Sequence, residues 1–380
     1  MSGLYLHIPF CKQACSYCDF YFVTQKEQKQ RFVEELIQDI QSKKDTRFAE
    51  EKVQTIYFGG GTPSLLTSLQ IESILGAISN SFHLDLKEVT LEMNPDDVTS
   101  DYLSALKTIG ITRSSMGVQT FDETLLKFMN RAHSREEALN CLEILSKSGM
   151  QSFTVDLIYG SPGQELEMLD KDLELLLNYN PPHISAYSLT IEPRTRLGKQ
   201  LKLGRIVEQE DEIVSTHFDL VESRLRKAGI NQYEVSNFSR PGFEAKHNAA
   251  YWSHENYLGF GPGAHSFWWD ENKRSAKRWN NKSDLKAYLK RGWIHQNEPE
   301  ELSLQELAEE RLMLGLRTIK GIELEELKKR YEFSFSDKQL SYLYQKNREG
   351  KLVLNADTLR LTKNGLKLSD SILLDIVTQT

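Results

Sequence analysis

Cys11, Cys15 and Cys18 stand in the run His7-Ile8-Pro9-Phe10-Cys11-Lys12-Gln13-Ala14-Cys15-Ser16-Tyr17-Cys18. Three thiolates can hold three irons of a four-iron cluster. A closed cluster takes four cysteines, so here the fourth iron would stay open to a small molecule. The remaining cysteine, Cys141, lies far along the chain. A Cys3His zinc site with His7 as fourth ligand is the rival chemistry, and the cysteine run alone fits both equally. Two local features lean toward iron. His7 belongs to the apolar run 4–10, which reads as a strand and is not free to wrap a metal. Tyr17, Phe20, Tyr21 and Phe22 make the loop water-excluding, which suits a reactive cluster.

Other polar groups fall at regular points further on. Gly59-Gly60-Gly61-Thr62-Pro63 lets backbone approach a ligand closely, because no Cβ intervenes; alone, it fits a tight turn better. Glu92 and Asp156 are carboxylates near strand ends, able to accept from hydroxyl or amino groups. Gln119 both donates and accepts. Arg131 can fork onto a carboxylate, or form a surface ion pair with Glu123 or Glu136.

The elements that carry these residues alternate. Strand patterns lie at 4–9, 55–58, 89–93, 113–118, 153–158 and 184–189. Helical patterns lie at 28–42, 68–81, 100–108, 134–148, 166–178 and 206–228. Repeated strand–helix units predict a parallel α/β sheet. With too few units to close an eight-unit barrel, the expected fold is a partial (β/α)6 barrel over residues 1–239, with 233–238 on its edge. In such barrels chemistry collects at the C-terminal strand ends, which is where the cysteine loop, the glycines, Glu92, Gln119 and Asp156 fall. Residues 240–302, rich in aromatics, Gly and His, read as a connecting segment. Residues 303–380, with helices at 305–316, 324–330 and 337–349 and a hairpin around 355–358, read as a winged-helix-like module.

Bulk properties narrow the function. A net charge of −7 argues against general nucleic-acid binding. Few cysteines, three of them clustered, point to a reducing compartment rather than a disulfide framework. There is no signal-peptide pattern and no apolar run of about 18 residues, so a soluble, cytoplasmic protein with at most peripheral membrane association is expected.

Together these motifs resemble the radical S-adenosylmethionine (SAM) superfamily. Within it the chain is similar to the haem chaperone group of the oxygen-independent coproporphyrinogen III oxidase (HemN-like) family. The similarity runs through Tyr57-Phe58-Gly59-Gly60-Gly61-Thr62-Pro63-Ser64, Glu92-Met93-Asn94-Pro95, Gly117-Val118-Gln119-Thr120-Phe121, Asp156-Leu157-Ile158-Tyr159-Gly160 and His247-Asn248-Ala249-Ala250-Tyr251-Trp252.

The resemblance implies that Cys11, Cys15 and Cys18 ligate a [4Fe-4S] cluster. It implies that Tyr5, Tyr17, Gly60, Gly61, Thr62 and Glu92 contact SAM, and that Gln119, Arg131 and Asp156 map to positions that hold a second SAM in the oxidase. His247 is then the first haem ligand to consider, His265 the second and His254 a weaker third. The oxidase extends its motif to a fourth cysteine where this chain has Phe20. That departure favours haem binding, with delivery to haem-dependent respiratory proteins, over decarboxylation of coproporphyrinogen III. The catalytic residues, if any, stay unassigned.

Overall fold

The computed structural model describes residues 2–270, 272–294 and 298–378. The first half runs β1 (Ser2–Ile8), α1 (Lys29–Gln41), β2 (Val53–Gly60), α2 (Ser68–Ser81), β3 (Leu84–Met93), α3 (Ser100–Thr108), β4 (Arg113–Gln119), α4 (Glu123–Phe128), α5 (Arg135–Lys147), β5 (Ser152–Tyr159), α6 (Leu166–Leu177) and β6 (His183–Ser188). Strands β1 to β6 are parallel and adjacent in chain order. They are buried on both faces, as β1 shows with six of its seven residues fully enclosed, and so they read as apolar runs in the sequence. Helix α1 covers one face with Phe32, Val33, Leu36 and Ile40. Helices α2 and α5 start with reciprocal capping boxes, Thr67 with Gln70 and Ser134 with Glu137, which satisfy otherwise orphaned backbone donors and fix where each helix begins.

Beyond β6 come α7 (Arg196–Lys202), α8 (Asp211–Lys227), β7 (Asn231–Gln232), β8 (Asn237–Ser239), α9 (Lys246–Trp252), β9 (Asn256–Phe260), β10 (His265–Asp270), β11 (Ser275–Asn280), α10 (Leu285–Tyr288) and β12 (Glu300–Leu302). Strand β8 pairs antiparallel with β6, extending that edge as expected. On the opposite edge β9 pairs parallel with β1, and β10, β11 and β12 follow antiparallel, giving one twelve-stranded sheet among the described residues. Within residues 240–302, the strands β9 to β12 therefore join the sheet rather than forming a simple connection. The open edge of β1 recruits them, and their aromatics serve two cores by strand alternation. Trp268 and Trp279 face the main core, whereas Phe267, Trp269 and Ala276 face a second one.

That second core is built by α11 (Leu304–Gly315), β13 (Ile322–Glu323), α12 (Leu324–Tyr331), α13 (Asp337–Arg348), β14 (Leu352–Leu354), β15 (Thr358–Leu361), α14 (Lys363–Leu366) and α15 (Ser369–Thr378). The three helices and the hairpin stand where the periodicity places them. Strand β13 adds a third strand beside β15, and α15 was not foreseen. Among the described residues, no helix is long and apolar enough to cross a membrane.

Candidate functional site

The C-terminal ends of β1 to β6 surround a cavity of about 420 Å³ that contains Cys11, Cys15 and Cys18. The cysteine loop is held by backbone bonds. Cys11 donates to the Val23 carbonyl at 3.0 Å, Val23 to Pro9 at 2.7 Å, and Ser16 to Met129 at 2.8 Å. Gly61 presses against the same loop, donating to the Ile8 carbonyl at 2.8 Å. A Cβ at Gly61 would lie 2.7 Å from the Phe10 carbonyl oxygen, closer than real contacts allow. The triple glycine is thus a close approach between β2 and the cysteine loop.

Thr62 donates to the Phe10 carbonyl at 2.7 Å, and its hydroxyl reaches the Cys11 sulfur at 3.7 Å. Glu92 accepts from the Tyr57 phenol at 2.7 Å and from the Gly60 amide at 3.2 Å. Burial pushes its carboxyl up to about 7. Asp156 accepts long hydrogen bonds from Ser115, and burial raises it to about 6. Gln119 closes β4 in the left-handed region at φ 71°, a strained conformation for a side chain with a Cβ.

Arg131 is buried and forks. One arm donates to Asn94 at 2.9 Å and to the Gly117 carbonyl at 2.6 Å; the other reaches the Cys15 sulfur at 3.2 Å and the Tyr17 phenol at 3.3 Å. The surface ion pair weighed for it is not formed: Glu123 instead accepts from the Arg135 backbone. Asn94 and Ser115 complete the polar lining and Tyr57 backs Glu92; of these, Tyr57 and Ser115 were not expected. Their sequence signal is strand alternation, since Tyr57 with Gly59 and Ser115 with Gly117 share an inward face.

The site fits a [4Fe-4S] cluster with SAM. Burial holds the Cys11 thiol up at about 11 and the Cys18 thiol up at about 12, so both stay protonated unless a metal takes the thiolates. Among the described residues no cation acts on the enclosed Glu92 carboxyl, burial outweighs the nearby Arg113 and Arg131 at Asp156, and Arg131 Nε is buried without a hydrogen-bond partner. A ligand carrying an ammonium, hydroxyls and a carboxylate answers all three. The zinc alternative fits less well. His7 Nε2 donates to the Tyr21 carbonyl at 2.8 Å, leaving Nδ1 to accept from the Tyr5 phenol at 3.3 Å.

A second cavity, of about 580 Å³, adjoins the first, and Phe20 lines both with 70% of its surface exposed. Tyr5 lines this second cavity rather than the cysteine cavity, although its ring borders Gly59 beside Glu92. His265, His254 and His7 also line it, together with Met313 and Leu314 from α11. Burial, then the nearby Arg278, lowers the His265 pKa and favours its neutral ring.

His247 is elsewhere. It is 1% exposed, and its ring nitrogens share hydrogen bonds with the Thr55 hydroxyl at 2.8 Å and the Tyr251 phenol at 2.9 Å. Both ring nitrogens are thus engaged, and the ring lines neither of the two cavities. The polar spacing of the motif serves the packing of α9, whose first turn donates to buried Glu88 at 2.9 and 3.0 Å.

A cysteine loop and a triple glycine at the C-terminal mouth of a parallel sheet define a radical SAM protein. Residues 5–176 match the radical SAM superfamily model, and residues 302–368 match the HemN C-terminal domain model. The chain belongs to the HemW family. It is 35% identical over 374 residues to the heme chaperone HemW of Lactococcus lactis subsp. lactis, covering 98% of this chain and 96% of that one. To the heme chaperone HemW of Bacillus subtilis it is 32% identical over 383 residues, covering 98% of each. The solved coproporphyrinogen III oxidase HemN from Escherichia coli superposes with a TM-score of 0.82 at 22% identity, over 100% of this chain and 90% of that one. At that identity the likeness is one of fold.

Proposed function

We propose that this chain is a haem chaperone built on a radical SAM core, which binds haem in the cavity beside its cluster site and passes it to haem-dependent proteins, respiratory ones among them. The observation that carries the reading is the pair of adjoining cavities. One presents three cysteines and enclosed carboxylates; the other presents aromatics and histidines and falls within the roughly 300–1,000 Å³ that bound small molecules occupy. The names of the relatives support the haem assignment.

In this reading Cys11, Cys15 and Cys18 hold the [4Fe-4S] cluster. Tyr17, Gly60, Gly61, Thr62 and Glu92 place SAM, with Tyr5 acting from behind Gly59. Gln119, Arg131 and Asp156 extend that polar wall, and whether they serve one SAM or two is a matter of stoichiometry. When bound, the cluster supplies an electron to the sulfonium of SAM. The chain's own contribution is positional. Gly61 brings backbone against the ligand, Glu92 takes the amino group between the Tyr57 and Gly60 donors, and Arg131 holds positive charge beside Cys15. The aromatic loop keeps water away.

The rival reading is oxidative decarboxylation of coproporphyrinogen III, and the fold likeness to HemN keeps it testable. The experiment is anaerobic reconstitution, then haem titration followed by absorption, and in parallel SAM, reductant and coproporphyrinogen III assayed by mass. Stoichiometric haem binding without protoporphyrinogen IX supports the chaperone. Product, or no haem binding, overturns it.

A further inference from the structure

We propose that the haem iron is bound by His265 at the start of β10, in the cavity shared by β1, β9, β10 and α11. The inference rests on the haem reading above and assigns its coordinating residue. Three histidines line this cavity, and the structure separates them by what their ring nitrogens already do. His7 donates to the Tyr21 carbonyl and accepts from Tyr5. His254 has Nδ1 on the Tyr331 phenol at 3.2 Å and Nε2 facing the Glu310 carboxylate at 3.4 Å. His265 has an exposed ring, and among the described residues neither of its nitrogens has a hydrogen-bond partner. An iron ligand needs an sp² lone pair that points into open space, and His265 alone of the three offers one.

The local backbone is built to put it there. The turn Gly261-Pro262-Gly263 joins β9 to β10, and Gly261 adopts φ 92° where it presses on the His7 carbonyl oxygen. A side chain at Gly261 would collide with that oxygen and push the turn away from β1. The close approach brings the first residue of β10 beside the cysteine loop. Asn281 ties the turn from the other side, its Nδ2 donating to the Gly261 carbonyl at 2.8 Å. Strand alternation then sets Phe267 on the same face as His265, and Tyr257 lies opposite Phe267 on β9. The two rings stack with centroids 6.2 Å apart at 24°, and Tyr251 stands edge-on to Tyr257 at 4.7 Å. Flat aromatic walls beside a free imidazole match an apolar macrocycle with a central metal.

The binding step is a ligand exchange. The neutral imidazole of His265 donates its lone pair to the haem iron, an axial water leaves, and no electron is transferred.

The test titrates hemin into the full-length, cluster-reconstituted protein and into His265→Ala, His265→Gly and His254→Ala, reading affinity and the ligand-sensitive absorption and EPR spectra. Iron and sulfide content report the cluster separately. We expect His265→Ala to lose the imidazole-ligated spectrum and to bind hemin at least tenfold more weakly, with its cluster intact. We expect added imidazole to restore the spectrum of His265→Gly, which a merely structural role would not allow, and His254→Ala to keep it. Hemin binding by His265→Ala with unchanged affinity and spectrum overturns the assignment while leaving the haem reading in place. Absence of hemin binding by the unaltered protein overturns both.

Discussion

The rings of His247 and Tyr57 stack with centroids 5.1 Å apart at 26°. Tyr57 in turn donates to Glu92 at 2.7 Å, so a buried histidine on α9 supports the cluster-side carboxylate through one aromatic ring. Burial holds His247 down at about 3, which keeps it neutral and lets its two nitrogens bond Thr55 and Tyr251 together. We predict that His247→Ala costs about 2–4 kcal/mol of stability, through a cavity and two broken buried hydrogen bonds. SAM affinity should fall several-fold as Tyr57 loosens. Thermal melting and SAM calorimetry check both. A variant that melts like the unaltered protein and binds SAM normally would sink the supporting role.

Much of this was legible in the sequence because parallel strands buried on both faces are continuous apolar runs. Six of them, each followed by an amphipathic helix, announced the half-barrel. Their polar ends announced the cysteine cavity, down to Glu92 and Asp156, while Arg131 enters it from the turn between α4 and α5. What stayed hidden was non-local. The parallel pairing of β9 with β1 joins Leu258 to Leu4 across most of the chain, and no local period encodes it. The same gap explains the histidines. A motif of His, Tyr and Trp reads alike whether its imidazole faces a cavity or Thr55, and the difference lies in which strands α9 packs against. His265 gained its place from a turn closing on His7, which only the fold brings near.

Cysteine substitutions should separate the cluster from the core. Cys15→Ser removes a sulfur that Arg131 already faces at 3.2 Å, and it should abolish iron and sulfide incorporation. Cys141 is buried on α5, with its sulfur 3.5 Å from that of Met116. Cys141→Ser should leave cluster content unchanged and cost about 1–2 kcal/mol by burying a hydroxyl among apolar groups. Iron loss in Cys141→Ser would contradict this division.

Phe20 stands between the two cavities, and the oxidase motif has a cysteine at that position. If position 20 alone decided the chemistry, Phe20→Cys would confer decarboxylation. We expect no protoporphyrinogen IX from this variant under reducing, SAM-replete conditions, because the neighbouring cavity keeps its aromatic and histidine lining. Haem affinity should weaken about threefold to tenfold, as an apolar face of the shared wall shrinks. Turnover by the variant, detected by mass, would instead make position 20 the switch.

Asp39 gives a pH test that is independent of any ligand. It lies on the buried face of α1, accepts from the Tyr288 phenol at 2.8 Å, and burial pushes it up to about 7 despite that bond. Its ordinary value is near 4. Between those values the folded chain retains a proton that the unfolded chain has shed, so the unfolded state binds fewer protons and stability falls as pH rises. Below about pH 4 both states are protonated and the carboxyl costs nothing extra; above about 7 the full cost of burying the charge is present. Asparagine keeps the acceptor for Tyr288 and cannot ionise. Asp39→Asn should therefore stabilise the fold more at pH 8 than at pH 5, by a difference on the order of 1–3 kcal/mol read from denaturation at the two pH values. Equal shifts at the two pH values would show that Asp39 titrates like a solvated carboxylate and that α1 does not bury it in solution.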